Sequence, residues 1–199
     1  VEQTSPADKP LRADARRNRA RILSTAEEVF AAEGTNAATE TIARRAGVGI
    51  GTLFRHFPTK EALLAAVVIA RIEGLATTAE GYGDAPDPAA AFAAFFAQMV
   101  EAIVTKNAFT APLLGESRAA AIADPALVGR LRGAIALLLA RAQAVGAVRA
   151  DVAIDEVMAL IIGAAHAVEH SDPARREHLL AIILDGLRPC SPNTSSPER

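Results

Sequence analysis

Apolar residues recur at intervals of three and four from Ile22 to Leu187, and no stretch alternates apolar with polar as a half-buried strand does. The chain therefore reads as all-α. A first helix carries Ile22, Leu23, Ala26, Val29 and Phe30 on one face and ends at Gly34. Two short helices follow between Thr39 and His56, then a longer one from Lys60 to about Thr78 with Leu63, Leu64, Val67, Val68, Ile72 and Leu75 inward. The string EGYGDAPDP at 80–88, dense in Gly, Pro and Asp, is the clearest break. Beyond it the pattern predicts helices over 89–106, a short interrupted one over 109–122 broken near Pro112 and Gly115, then 125–146, 153–169 and 173–187. Asp124 followed by Pro125 is a strong start signal for the third of these. The total is about nine helices. Residues 1–11 and 189–199 lack periodicity and are expected to form a disordered leader and tail.

The most informative stretch is Thr39–Lys60, TETIARRAGVGIGTLFRHFPTK. Ile42 and Ala43 share a face of one short helix, and Gly47 ends it because glycine tolerates the positive φ of a tight turn. Val48 plugs the turn. Leu53 and Phe57, four apart, give the second helix an inward face, which leaves Thr52, Arg55 and His56 pointing outward. Ile50, in the first turn, can project off the helix end. Pro58 stops the helix and Thr59 can cap the next. Two short helices joined by a glycine turn, the second with a small, polar and basic outer face, suit insertion into a DNA major groove; an ordinary helical corner would share the generic pattern.

The string IARRAGVGIGTLFRHFPTKEALL resembles the DNA-binding domain of TetR-type transcriptional regulators, whose signature runs I-A-x-x-A-G-V, T-L-Y-x-H-F, then a small residue, Lys and an aliphatic pair. Ile42, Ala43, Ala46, Gly47, Val48, Thr52, Leu53, His56, Phe57, Lys60, Leu63 and Leu64 fall in register. The resemblance covers about residues 15–70. It implies an N-terminal three-helix domain over 12–59, and a C-terminal ligand-binding and dimerisation domain over 60–188. It also implies a homodimer on a double-stranded DNA operator, controlled by a small-molecule effector. By the same correspondence Thr39, Thr52, His56 and Lys60 match residues that hold the sugar-phosphate backbone, and Gly49, Ile50 and Gly51 fall where base edges are read. None of those three has a hydrogen-bonding side chain. Phe54 replaces the usual Tyr and lacks its hydroxyl.

Composition changes this picture little. With 51% hydrophobic and 4% aromatic residues in 199, the chain suits an Ala-rich helical protein. A single Cys, Cys190, cannot form an internal disulfide and fits a reducing compartment. No window reaches the ~18–20 continuous apolar residues of a membrane span, and no basic start precedes an apolar run, so a cytoplasmic protein without membrane association is expected.

The net charge of −2 argues at first against nucleic acid, but its distribution does not. Residues 1–60 hold ten basic and seven acidic side chains, a balance of +3, and the remaining 139 hold eleven against sixteen, a balance of −5. Arg12, Arg16, Arg17, Arg19 and Arg21 face one acid, Asp14. Basic charge at a helix start opposes the helix dipole, which favours a phosphate-neutralising arm over a merely solvated end. Arg16, Arg17 and Arg19 are its expected members.

In the C-terminal half, Phe92, Phe95, Phe96, Met99 and Ile103 crowd one face. Two readings stand, plain core and the wall of an apolar or aromatic ligand cavity. Arg118 and His166 are candidate polar anchors in that cavity. Ala159, Gly163 and Ala167 repeat every four residues and permit close helix approach; with Ile182 and Ile183 they form the expected dimer face, since the family pairs its last two helices across a four-helix bundle. His166 and His170, four apart with Glu169 between, have a spacing that can bind zinc, but two surface or interface histidines are the commoner explanation, so no metal and no cofactor are expected. No Gly-rich phosphate loop or catalytic constellation stands out, and no enzyme is expected.

Overall fold

The computed structural model describes residues 8–121 and 124–189, with side chains described for 14–105 and 124–189. Among these residues there are eight α-helices and no strand: α1 (Asp8–Glu33), α2 (Thr39–Arg45), α3 (Ile50–His56), α4 (Lys60–Gly81), α5 (Pro88–Ala121), α6 (Pro125–Ala144), α7 (Ile154–Glu169) and α8 (Arg176–Gly186). Single 3₁₀ turns at Tyr82–Asp84 and Pro173–Arg175 precede α5 and α8.

The count falls one short of nine because α5 runs unbroken through the predicted interruption, with Pro112 and Gly115 inside it. Proline removes one N–H and costs about 3 kcal/mol in a helix interior, yet this is one bond in a 34-residue helix whose first half is rich in alanine, the best helix former. At the other end α1 has already begun at Asp8, ahead of the expected start near Arg12. Pro10 is tolerated there because the first four N–H groups of a helix have no intrahelical partner to lose. Residues 1–7 and 190–199, and with them most of the expected leader and tail, lie outside the described residues.

Helix boundaries follow local chemistry. Gly34, Gly47 and Gly146, at φ of 72°, 65° and 71°, are the described residues with positive φ, and each follows a helix end. Asp87 accepts a hydrogen bond from Ala90 N–H at 3.0 Å and caps α5, whose first residue is Pro88; Asp124 likewise precedes Pro125, the first residue of α6. Glu156 reaches back to Ala153 N–H at 2.8 Å and secures the start of α7.

Two compact units result. The first draws on Val1–Ile72 and Lys106–Asp124, the second on Glu73–Thr105 and Pro125–Arg199, so the dividing line falls within α4 and within α5. The first unit is centred on Ile22, Val29, Phe30, Ile42, Leu53, Leu63 and Leu64, all essentially inaccessible. The second packs Phe92, Phe95, Phe96 and Met99 of α5 with Ile135 and Leu138 of α6 and Val157 and Ile161 of α7. Two segments, Lys60–Asp84 and Pro88–Thr105, are long and apolar enough to cross a membrane by length and composition alone. Their buried apolar residues belong to these two cores, which makes them weak evidence for a span.

Half-buried Arg141 fixes the α4–α5 connection within the second unit. Its guanidinium donates to the backbone carbonyls of Tyr82, at 3.1 Å, of Gly83, and of Ala85, at 2.7 Å. These carbonyls lie past the end of α4; that of Tyr82 also accepts from Ala85 N–H at 3.1 Å within the 3₁₀ turn.

Candidate nucleic-acid interface and effector cavity

The turn between α2 and α3 is a Schellman motif. Gly47 N–H bonds the carbonyl of Arg44 at 3.2 Å and Val48 N–H that of Ala43 at 3.0 Å, a pairing that requires the left-handed conformation at Gly47. Val48 then packs against the first core. Helix α3 starts at extended Gly49, whose carbonyl accepts from Thr52 N–H at 2.9 Å and Leu53 N–H at 3.1 Å. Leu53 is fully buried and Phe57 nearly so, which pins the inner face of α3 and fixes what its outer face presents.

That outer face carries Gly49, Ile50, Gly51, Phe54 and Arg55, all exposed, with Thr52 and His56 half-buried beside them. Ile50 and Phe54 are large apolar side chains left 39% and 40% accessible, which is unusual for a helix seven residues long unless the surface meets something. Thr59 caps α4, accepting from Ala62 N–H at 3.1 Å, so half-buried Lys60 sits in its first turn. Thr39 is not a cap. Ala38 occupies the N-cap of α2, and Thr39 is the first helical residue, its hydroxyl 3.4 Å from Glu40.

The arginines of α1 are not equivalent. Arg17 pairs with Asp14, and Arg21 donates to Asn18 at 2.8 Å. The Arg19 guanidinium lies 5.3 Å from the centre of the Phe57 ring, a cation–π contact that ties the arm to the end of α3. The side chain of exposed Arg16 has no ion pair or hydrogen bond among the described residues, nor do the side chains of Arg44 and Arg55, whereas Arg45 is held by Glu33 at 2.8 Å.

The residues grouped as a ligand wall are placed differently. Phe92, Phe95, Phe96 and Met99 are at most 4% accessible, and the interstice among the phenylalanines and their α6 and α7 neighbours leaves no room for a water molecule. Tyr82 meets Phe95 edge-on with ring centres 6.3 Å apart. Ile103 is half-buried, the side chain of Arg118 lies outside those described, and His166 is exposed. The roomier space of the second unit is an open cavity of about 590 Å³ lined by Ala89, Phe92, Ala93, Val148, Leu184 and Leu187, with the Asp185–Arg188 pair at its edge. Phe92 is shared by cavity and interstice. Val148 and Leu187 come together because Arg149 N–H bonds the Leu187 carbonyl at 2.8 Å, a loop-to-helix contact that no helical periodicity encodes.

On α7 and α8, Ala159, Gly163 and Ile182 are exposed, and Ala167 and Ile183 half-buried. Ile162, 58% accessible, extends the same α7 surface and was not singled out by the small-residue spacing.

Residues 22–67 match the model of bacterial regulatory proteins of the tetR family, and residues 87–189 match the C-terminal domain of SbtR-like transcriptional regulators. The chain belongs to the TetR family. A TetR transcription regulatory protein from Mycobacterium vanbaalenii is 38% identical, with 90% of this chain and all of that one covered at a TM-score of 0.74. A TetR transcriptional regulator from Streptomyces coelicolor is 34% identical over 87% of this chain and 99% of its own, at a TM-score of 0.73. A curated HTH-type transcriptional regulator of Staphylococcus aureus is 44% identical over 54 residues, a match that spans 27% of this chain and 29% of that relative's length. This TetR-family chain is thus a DNA-binding transcriptional regulator with a helix-turn-helix in α2–α3.

Proposed function

We propose that this regulator is a cytoplasmic homodimeric repressor that binds a pseudo-palindromic operator and leaves it when a small apolar or aromatic molecule binds the C-terminal unit. The observation that carries the reading is the outer face of α3, where apolar Ile50 and Phe54 stand exposed beside Arg55 on a helix whose other face is locked in core. Ile50 and Phe54 can meet thymine methyls, Arg55 can reach guanine, and Thr39, Thr52, His56 and Lys60 hold phosphates; DNA shape supplies the remaining discrimination. Paired α7 and α8 helices join the protomers through Ala159, Gly163, Ala167, Ile182 and Ile183, with Ile162 added. The two reading heads then enter successive major grooves, about 34–36 Å apart centre to centre.

The effector enters at the open cavity and engages Phe92, whose movement admits it to the phenylalanine core. Release requires that it bind the non-operator arrangement more tightly than the operator-bound one.

Fluorescence anisotropy on duplex from the gene's own upstream region, against scrambled duplex at two salt concentrations, tests the reading. Preferential binding that weakens with salt is expected. Equal, salt-insensitive binding to both duplexes would remove DNA readout from the account. Dye displacement with apolar compounds tests the effector; its failure would favour a regulator without a ligand, which the closed phenylalanine core would also accommodate. Ile162→Glu together with Ile182→Glu is expected to yield monomers by sedimentation, and a persistent dimer would move the interface elsewhere.

A further inference from the structure

The end of α7 carries a cluster that operator binding does not use. His166, Glu169 and His170 are all exposed, and one ligating atom from each lies within 4.8 Å of the others. The imidazoles are four residues apart on one helical face, with ring centres 4.3 Å apart and planes tilted by 43°. The Nδ1 atom of His170 lies 2.9 Å from the backbone carbonyl of His166. A carbonyl oxygen only accepts, so Nδ1 carries the hydrogen and the neutral ring keeps its lone pair on Nε2. That is the arrangement found behind metal-ligating histidines, whose second nitrogen is held by a carbonyl or carboxylate that fixes tautomer and ring orientation. His170 is itself anchored, since it forms the C-cap of α7 with its N–H bonded to the His166 carbonyl.

We propose that His166, Glu169 and His170 form a binding site for a late first-row divalent transition metal. Two imidazole nitrogens and one carboxylate oxygen suit Zn²⁺, Ni²⁺ or Cu²⁺ and disfavour Mg²⁺ and Ca²⁺, which seek oxygen-rich shells. At metal–ligand distances near 2.0–2.2 Å, tetrahedral ligands stand roughly 3.4 Å apart, so separations of at most 4.8 Å close by up to about 1.4 Å through side-chain rotation. Three protein ligands leave a further position for water.

The test uses the full chain, stripped of metal, titrated with ZnCl₂ and NiCl₂ by calorimetry and against a chromophoric chelator. One equivalent per chain is expected. His166→Ala and His170→Ala should each lower affinity at least about tenfold, the double variant should abolish binding, and Glu169→Gln should weaken it to a smaller degree. His178→Ala and His56→Ala should leave it unchanged. All five positions are exposed or half-buried, so the fold, checked by helical circular dichroism, survives. No saturable binding by the unaltered chain would overturn the site. So would binding that persists in the double variant or follows His178 or His56.

Discussion

Arg16 offers the sharpest test of how this protein holds DNA, because its neighbours are already engaged. Arg17 is paired with Asp14, Arg19 is stacked on Phe57, and Arg16 is exposed with no partner among the described residues. If it neutralises one phosphate, Arg16→Ala removes one contact per protomer and two from the proposed dimer. Each phosphate contact contributes about 0.9 to the slope of log affinity against log salt, so the slope should flatten by about 1.8. Between 50 and 200 mM salt this reduces the salt-driven loss of affinity by roughly tenfold. Because the loss is sequence-independent, scrambled and operator duplexes should weaken together. Arg45→Ala is the control, since Arg45 is held by Glu33 and should leave the slope unchanged. Anisotropy titrations at four salt concentrations provide the slopes. An unaltered slope with Arg16→Ala, even with weaker binding, would refute a phosphate role and leave the arm a structural element.

Other outcomes follow from particular contacts. Gly47→Ala should cost about 1–2 kcal/mol, with Gly47→Asn milder, because an added Cβ meets nothing within 4 Å and the whole penalty lies in the backbone at φ 65°; urea unfolding would measure it, and a neutral alanine would contradict the motif. Arg141→Met should destabilise the second unit by roughly 2–3 kcal/mol through loss of charge-assisted bonds to three carbonyls, and Arg141→Lys should rescue it only in part since one ammonium cannot span them. The Arg130 guanidinium, hydrogen-bonded to Glu80 at 2.6 Å, holds that carboxyl below its ordinary 4.5. The folded state thus favours ionised Glu80, a contribution present above the ordinary value and lost as pH falls through the lowered one. Arg130→Ala should raise the Glu80 midpoint in a carboxyl NMR titration, and an unmoved midpoint would discount the pair.

Helix periodicity made α3 legible in the sequence, because Leu53 and Phe57 must be inward if it is to sit on a core. Glycine and proline punctuation located the turns for the same reason, each being a local constraint. The wall of the open cavity was not legible. It depends on Arg149 meeting Leu187 across 38 positions, a pairing written in no local pattern. Phe92 to Met99 could be read as core or as cavity lining, since both demand the same apolar spacing, and only their near-complete burial decides their packing. The unequal states of Arg16, Arg17 and Arg19 were likewise invisible, as a run of arginines does not say which has found a partner.

Gly49 and Gly51 bring one more consequence. Both have ordinary negative φ, and a Cβ built at either meets nothing within 4 Å. Nothing in the fold therefore requires glycine there. A Cβ fits at both, and a Ser or Asn at Gly49 would also supply the side-chain cap that α3 lacks, while alanine at Gly51 would strengthen the helix by about 0.5–1 kcal/mol. The two positions are blanks at the head of α3, the proposed reading helix. Filling them with Asn, Gln or Arg would let this scaffold be rewritten toward chosen operators, with the cost confined to the DNA it would no longer recognise.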